Sequence, residues 1–232
     1  MYKKLAIIFI ISTLVFATET RQKVVILDTG IESDFPSKFL CSEGSKDFSE
    51  QGLEDTNKHG TNLAYIISKS LDTKKECLAI VKFYSEKERF HFSHLADALS
   101  YVTTLGISYI NMSFGGGFPS PREKGLIEKL LQQDVIIAVA AGNNGTNLNF
   151  WCNYYPACYA NYFNNANYHV VASCKDGKYA PYSNFGDVVT DCKNGTKVTG
   201  GDYTFSGTSQ ATAIQLGELI KLNRKTRDFH DR

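Results

Sequence analysis

Short apolar runs alternate with amphipathic helical segments along most of the chain. The first run, residues 23–27 (Lys-Val-Val-Ile-Leu), is continuous rather than alternating, which predicts a strand buried on both faces of a parallel sheet. Further strands are predicted at residues 78–83, 107–112, 135–141 and 168–173, with helices from His59, at residues 93–105 and after Ser120. This order predicts an α/β fold, doubly wound and three-layered, in which helices flank both faces of a parallel β-sheet.

The length of the chain favours a single domain. With 232 residues, 43% of them hydrophobic, the chain can bury a sizeable core. We therefore expect one domain over residues 18–232, preceded by a signal peptide at residues 1–17. The net charge is +1 and the basic residues are scattered, so the composition predicts no nucleic-acid partner.

The N-terminus has the pattern of a secretory signal peptide. Lys3 and Lys4 precede an apolar run at residues 5–16, and Val15 and Ala17 stand where a small-residue cleavage site is expected. A membrane anchor is the alternative, but the run is shorter than the ~20 apolar residues that a spanning helix needs. We expect cleavage and export to an extracellular or periplasmic location, with no membrane attachment afterwards.

Six cysteines fit an exported chain, because disulfides persist in oxidising compartments. Six cysteines can pair in fifteen ways, so the sequence leaves the connectivity open. The near-neighbour pairs Cys152 with Cys158 and Cys174 with Cys192 are favoured, and the other two residues are Cys41 and Cys77. A zinc site is the alternative, but the chain has no Cys-x-x-Cys and no His beside these residues, so we expect no metal there.

Three residues that could carry chemistry stand at the ends of predicted elements. Asp28 follows the first strand, at the edge of a parallel sheet where catalytic groups gather. His59 begins a helix, whose dipole favours the neutral imidazole. Ser209 lies on a glycine turn that begins the last helix, beside N–H groups without helical partners. Each also has a structural interpretation: a turn aspartate, a packed histidine and a helix N-cap.

Two glycine-bearing segments follow predicted strands, residues 113–117 (Ser-Phe-Gly-Gly-Gly) and residues 141–145 (Ala-Gly-Asn-Asn-Gly). Glycines at strand ends let another backbone or a ligand approach closely. A phosphate-binding loop is the alternative for the first segment. It lacks the Gly-Lys-Ser/Thr of a P-loop and the full dinucleotide fingerprint, so we expect no nucleotide to bind.

Two further segments are less regular. Residues 147–167 are rich in Asn, Tyr and Phe without clear periodicity, which predicts a long functional or surface loop. From Asn223 onward the chain is charged, and we expect this tail to fray.

Several blocks in order resemble the signature blocks of subtilisin-like serine peptidases. Asp28-Thr29-Gly30, His59-Gly60-Thr61 and Gly207-Thr208-Ser209 resemble the three blocks of the catalytic triad. Residues 111–116 resemble the family's substrate-binding strand, and residues 140–143 the block that holds its oxyanion asparagine. Residues 182–186 (Tyr-Ser-Asn-Phe-Gly) resemble another recurrent segment, so the resemblance covers roughly Val24 to Leu222.

The resemblance implies a subtilisin-like fold and serine endopeptidase activity through an acyl-enzyme intermediate. It implies Ser209 as nucleophile, His59 as base, Asp28 as the partner of His59, and Asn143 as an oxyanion donor. The residues that would bind substrate are Ser113, Phe114, Gly115, Gly116, Ala140, Ala141 and Gly142. A protein or peptide substrate, a monomeric enzyme and no cofactor are expected; the family's calcium sites match no loop here, so calcium stays unassigned.

The chain departs from the family pattern in two places. Asn62 stands where a second histidine is usual, and residues 210–213 read Gln-Ala-Thr-Ala where Met-Ala-x-Pro is usual. The first strand also follows the signal pattern directly, so we expect a compact variant without the pro-domain of many relatives. These differences motivate the alternative hypothesis, a catalytically inactive subtilase-like peptide-binding protein.

The glycine-bearing blocks also suggest a specificity. Gly115, Gly116, Ala140 and Gly142 carry little or no side chain and include no acid. They suggest an open, apolar pocket, which predicts a preference for apolar or aromatic residues before the scissile bond.

Overall fold

A mainly parallel sheet forms the middle layer of the computed structural model, which describes residues 20–84 and 92–230. The predicted signal peptide at residues 1–17 lies outside the described residues. The elements are β1 (Gln22–Asp28), β2 (Lys46–Asp47), α1 (His59–Ser68), β3 (Glu76–Lys82), α2 (Phe92–Val102), β4 (Tyr109–Met112), α3 (Pro121–Gln132), β5 (Ile136–Ala140), β6 (Tyr168–Lys175), β7 (Lys178–Tyr179), β8 (Asp191–Lys193), β9 (Val198–Gly200), β10 (Tyr203–Phe205) and α4 (Thr208–His230).

The sheet has the strand order β2-β3-β1-β4-β5-β6, with β8 parallel and β7 antiparallel to β6. In the centre, Val24 of β1 pairs with Leu78 of β3 on one side and Tyr109 of β4 on the other. The strand order therefore reverses at β1: β2 and β3 lie on one side of β1, and β4, β5 and β6 lie on the other. In open parallel sheets such a reversal opens a crevice at the carboxyl ends of the strands, where ligands bind.

Helices cover both faces of the sheet, as predicted. Val25 and Leu27 of β1 pack in one core with α2 and α3, whereas Val24 and Ile26 pack in a second core with α1 and α4. Successive strand side chains point to opposite faces, so a continuous apolar strand supplies both cores at once. The three-layer α/β/α fold class is confirmed.

All six cysteines are paired in disulfides. Cys152–Cys158 and Cys174–Cys192 are the two pairs that were favoured from the sequence, and Cys41–Cys77 joins the start of β3 to the loop after β1. Within the described ranges no helix is both long and apolar enough to cross a membrane.

The expectation of a frayed tail from Asn223 is wrong, because α4 continues to His230. The reason is Glu76, which begins β3 and is fully buried. Arg224 donates from Nε and Nη2 to the two carboxylate oxygens of Glu76, at 3.0 and 2.8 Å. A buried carboxylate needs such a partner, and satisfying it holds the last turns of α4 against the domain.

Residues 147–167 are more ordered than a surface loop. They contain a 3-10 helix at Ala157–Asn161, in which Cys158 and Tyr159 are buried. Gly116 and Tyr155 form an antiparallel bridge in which each N–H donates to the other's oxygen at 2.8 Å. Two of the aromatic residues that looked aperiodic in the sequence, Tyr154 and Tyr155, therefore contact the glycine-bearing segment after β4.

Candidate active site

Asp28 and His59 lie together at the carboxyl end of the sheet. Asp28 is the last residue of β1 and is 3% exposed. Its Oδ1 is 2.7 Å from Nδ1 of His59 and accepts the backbone N–H of Thr29 at 2.8 Å. These bonds orient the imidazole, so that Nε2 is the ring nitrogen that faces away from the carboxylate.

The turn before His59 is built by a second carboxylate, Asp55. Its Oδ1 accepts the N–H of Lys58 at 2.9 Å, and its Oδ2 accepts the N–H and the hydroxyl of Thr61, both at 2.8 Å. The first N–H groups of a helix have no intrahelical partner, so this buried carboxylate caps α1. The position of His59 at the first residue of α1 follows from that cap.

Glycine at position 60 lets α1 approach the end of β1. A Cβ at Gly60 would lie 2.5 Å from the backbone oxygen of Gly30, and the Gly60 N–H donates to Oγ1 of Thr29 at 2.9 Å. Only glycine fits such a contact. The Asp28-Thr29-Gly30 and His59-Gly60-Thr61 blocks are therefore two halves of one packed unit.

The pKa of His59 lies above its usual value of 6.5. Burial alone would lower it, but the charge of Asp28, the hydrogen bond to Asp28 and the charge of Asp55 outweigh burial. The position of His59 at a helix N-terminus predicted the opposite, a favoured neutral imidazole. The two carboxylates reverse that effect because they stabilise the protonated ring at closer range.

Ser209 is the second residue of α4 and is 8% exposed. Its hydroxyl donates to the backbone oxygen of Ser113 at 3.2 Å, and the Ser113 hydroxyl donates to the backbone oxygen of Ser209 at 3.3 Å. This pair of bonds joins the exit of β4 to the start of α4. A hydroxyl has one proton, so Ser209 directs it to Ser113 rather than to His59.

Asn143 is exposed and lies beside the same helix start. Its Oδ1 accepts the N–H of Thr208 at 2.8 Å and the Thr208 hydroxyl at 3.0 Å. Because the oxygen end of the side chain is held by Thr208, the amide N–H2 is the end that can face a ligand. Asn143 is thus bonded to Thr208, the residue that directly precedes Ser209.

A residue that the sequence did not single out, Asn184, holds the exit of β5. Its Nδ2 donates to the oxygen of Ala141 at 2.8 Å, and its Oδ1 accepts the N–H groups of Asn144 and Thr146 at 3.1 and 3.0 Å. The only sequence signal was the block at residues 182–186, which resembled a family segment without an assigned role. Its role here is to shape the loop that carries Asn143.

The predicted substrate-binding residues follow β4 and β5. Ser113, Ala140, Ala141 and Gly142 are buried, and Phe114 packs edge-on against Phe83 at 4.7 Å between ring centroids. A cleft of about 300 Å³ lies along this edge. Its lining includes Asp28, His59, Phe83, Tyr84, Phe114 and Gly115.

The structure differs in two details from the open, apolar pocket that was expected at Gly115, Gly116 and Gly142. The backbone N–H of Gly116 already donates to Tyr155, so Gly116 cannot offer it to a substrate. The ring of Tyr154 lies against both Gly115 and Gly142. The space between these glycines is therefore occupied by a side chain of the protein itself.

The two departures from the family pattern contact one another. Nε2 of Gln210 donates to Oδ1 of Asn62 at 3.0 Å, and Nδ2 of Asn62 donates to the oxygen of Tyr203 at 2.9 Å. Both Asn62 and Gln210 are buried. Asn62 is three residues after His59 and Gln210 directly follows Ser209, so this bond links the helix starts that carry them.

We expect Gln210→Met to lower the free energy of unfolding by about 1–3 kcal/mol, because the buried Oδ1 of Asn62 would lose its amide donor. Urea unfolding with the disulfides intact measures this. Gln132→Met, at an exposed position near the end of α3, is the matched control and should change stability by less than about 0.5 kcal/mol. Equal midpoints for the two variants would contradict the role of the amide pair.

The sequence is similar to curated serine proteases. It is 27% identical over 221 residues to an intracellular serine protease of Paenibacillus polymyxa, covering 87% of this chain and 66% of that protein. It is 26% identical over 214 residues to subtilisin NAT of Bacillus subtilis subsp. natto, covering 86% of this chain and 55% of that protein. The matched part of the chain thus spans 66% and 55% of the lengths of these two relatives.

The fold is similar to that of solved structures. A cold adapted subtilisin-like serine proteinase superposes with a TM-score of 0.70 at 23% identity, covering 88% of this chain and 75% of that one. A lanthipeptide protease superposes with a TM-score of 0.73 at 19% identity, covering 91% and 75%. The model of the subtilase family matches residues 19–215. Because this match takes in most of the 232 residues, the chain belongs to the subtilase family.

Proposed function

We propose that the chain is a serine endopeptidase that acts on protein or peptide substrates. The observation that carries the proposal is the 2.7 Å contact between Asp28 and His59, at the sheet edge near the first turn of α4, which contains Ser209. An isolated helix cap at Ser209 would need neither of those residues. Membership of the subtilase family and the catalytic cleft beside His59 support the same conclusion.

In the proposed reaction, Ser209 attacks the carbonyl carbon of the scissile bond. A serine hydroxyl is a weak nucleophile at neutral pH, so Nε2 of His59 accepts its proton during the attack. His59 then gives the proton to the leaving amine, and water hydrolyses the acyl-enzyme in a second, similar cycle. Asp28 holds Nδ1 of the ring and stabilises the imidazolium that forms.

The first step requires the Ser209 hydroxyl to leave the oxygen of Ser113. Rotation about the Cα–Cβ bond directs the hydroxyl towards His59, and catalytic hydrogen bonds commonly tighten only once substrate is bound. The amide of Asn143 and the N–H of Ser209 then donate to the oxyanion. The proposed steps use only side chains and backbone groups of this chain.

We also propose export of the chain after cleavage of residues 1–17. The apolar run behind Lys3 and Lys4 supports this, as do the three disulfides, which persist in oxidising compartments. Intact mass of protein recovered from the medium should place the mature N-terminus at Thr18. A secreted chain that retains Met1 would contradict the proposed cleavage.

A fluorophosphonate probe tests the proposed activity. We expect the folded chain to be labelled and the heat-unfolded chain not to be labelled. The labelling rate should rise with pH through a midpoint above 6.5, because only neutral His59 can accept the serine proton and its pKa is raised. A rate that is constant from about pH 5 to 9 would argue against His59 as the base, whereas no labelling at all would favour the inactive peptide-binding alternative.

A further inference from the structure

We propose that Tyr154 determines which side chain the enzyme accepts before the scissile bond, by filling the slot between Gly115 and Gly142. This inference rests on the proposed peptidase function and specifies which peptide substrates the enzyme would cleave. It predicts small or short polar side chains at that position, such as Gly, Ala, Ser or Thr. Aromatic and long aliphatic side chains are disfavoured there.

The ring of Tyr154 lies in direct contact with both glycines. A Cβ built on Gly115 would be 2.3 Å from Cε1 and 2.4 Å from Cζ of the ring, and a Cβ built on Gly142 would be 2.9 Å from Cδ1 and Cε1. Gly115 follows β4 and Gly142 follows β5, two adjacent strands. The ring therefore occupies the gap between the two strand exits, where an apolar substrate side chain would otherwise insert.

The backbone of Tyr154 is held on both sides. Its N–H donates to the sulfur of Cys158 at 3.3 Å, within the loop that the Cys152–Cys158 disulfide closes. The next residue, Tyr155, exchanges two 2.8 Å hydrogen bonds with Gly116. Displacing the ring by moving its backbone would break this bridge, so the backbone bonds keep Tyr154 beside the two glycines.

An open depression of about 390 Å³ adjoins Tyr154. Its lining includes Gly115, Gly117, Asn144, Thr146, Asn153 and Tyr154, so it contains residues with amide and hydroxyl groups. Gly115 separates this depression from the cleft that contains His59, because it lines both.

The depression adjoins the proposed oxyanion donor. Asn144 lines it, and Asn143, the preceding residue, is the group proposed to bind the carbonyl oxygen of the residue under attack. The side chain of that same residue would therefore point towards the slot that the Tyr154 ring fills. Residues further towards the substrate's N-terminus would lie along the cleft that contains Phe83 and Phe114.

Paired peptides that differ only in having Ala or Phe before the scissile bond test the inference, in a sequence chosen from a cleavage library. We expect the wild-type chain to cleave the Ala peptide at least about tenfold faster by kcat/KM. Tyr154→Ala should raise the Phe-to-Ala ratio of kcat/KM by about 10- to 100-fold, the value of burying a large apolar side chain. Tyr154→Phe, which keeps the ring, should retain the wild-type ratio.

Tyr162→Ala is the matched control, because Tyr162 is 64% exposed in the same segment and should leave the ratio unchanged. Tyr154→Val removes less volume and gives the same readout where the alanine variant does not fold. Wild-type cleavage that favours Phe, or an unchanged ratio in a Tyr154→Ala or Tyr154→Val variant that still takes the fluorophosphonate label, would overturn the inference alone. Failure of the wild-type chain to label would instead overturn the proposed function.

Discussion

Replacing Ser209 by alanine is expected to abolish peptide hydrolysis, with a fall in kcat of about 10⁶-fold. Removing the nucleophile of an Asp-His-Ser triad has an effect of that size, because the remaining groups cannot form the acyl-enzyme. Residual hydrolysis would come from the oxyanion donors and substrate binding alone. Initial rates on a cleaved peptide and loss of fluorophosphonate labelling measure the change.

Ser206→Ala is the matched control for this variant. Ser206 lies on the same turn, is exposed, and accepts the N–H of Lys197 at 2.9 Å. Loss of such an exposed bond should change stability by less than about 0.5 kcal/mol and leave labelling intact. Hydrolysis by Ser209→Ala at the wild-type rate would show that another group is the nucleophile.

The sheet was predictable from the sequence because its central strands are buried on both faces. The run at residues 23–27 contains no polar alternation, and it indeed supplies both cores of the domain. The ends of the strands were less predictable from the sequence. The strand that was expected at residues 107–112 begins at Tyr109. Strand ends depend on pairing with neighbouring strands, which the sequence of one strand does not contain.

The end of α4 was not predictable, since its stability comes from a partner far along the chain. Arg224 and Glu76 are 148 residues apart, and neither carries a local signal of the pair they form. The same applies to Asn62 and Gln210, which looked like two separate losses from a family pattern. In the structure the two side chains form a hydrogen bond with each other, so each satisfies the buried polar group of the other. This bond links the starts of α1 and α4.

The sequence predicted that Asp28 and His59 lie close together, but it did not predict the detailed shape of the candidate site. The blocks around Asp28 and His59 require glycine for reasons of packing, and such requirements leave a recognisable sequence pattern. Tyr154 left no such pattern, because any of several aromatic residues between 147 and 167 could have reached the glycines. Small residues in a sequence indicate space, and only the fold shows whether another side chain fills it.

In the proposed mechanism the role of Asp28 is separable from that of Ser209, because Asp28 acts through His59. The carboxylate contributes negative charge, and its Oδ1 also accepts the N–H of Thr29 at 2.8 Å. An asparagine at this position keeps an oxygen that can accept both bonds and removes the charge. Asp28→Asn therefore tests the electrostatic part of the contact with little change in packing.

We expect Asp28→Asn to lower kcat by about 10⁴-fold, because a neutral amide neither stabilises the imidazolium nor selects the His59 tautomer that accepts the serine proton. The pH midpoint of the residual activity should also move down. Asp28 raises the pKa of His59, so its loss lets the ring become neutral at lower pH. Asp97→Asn, at a side chain 55% exposed on α2, is the control and should leave both the rate and the midpoint unchanged. An Asp28→Asn variant whose rate falls but whose midpoint stays at the wild-type pH would mean that the carboxylate only positions the ring.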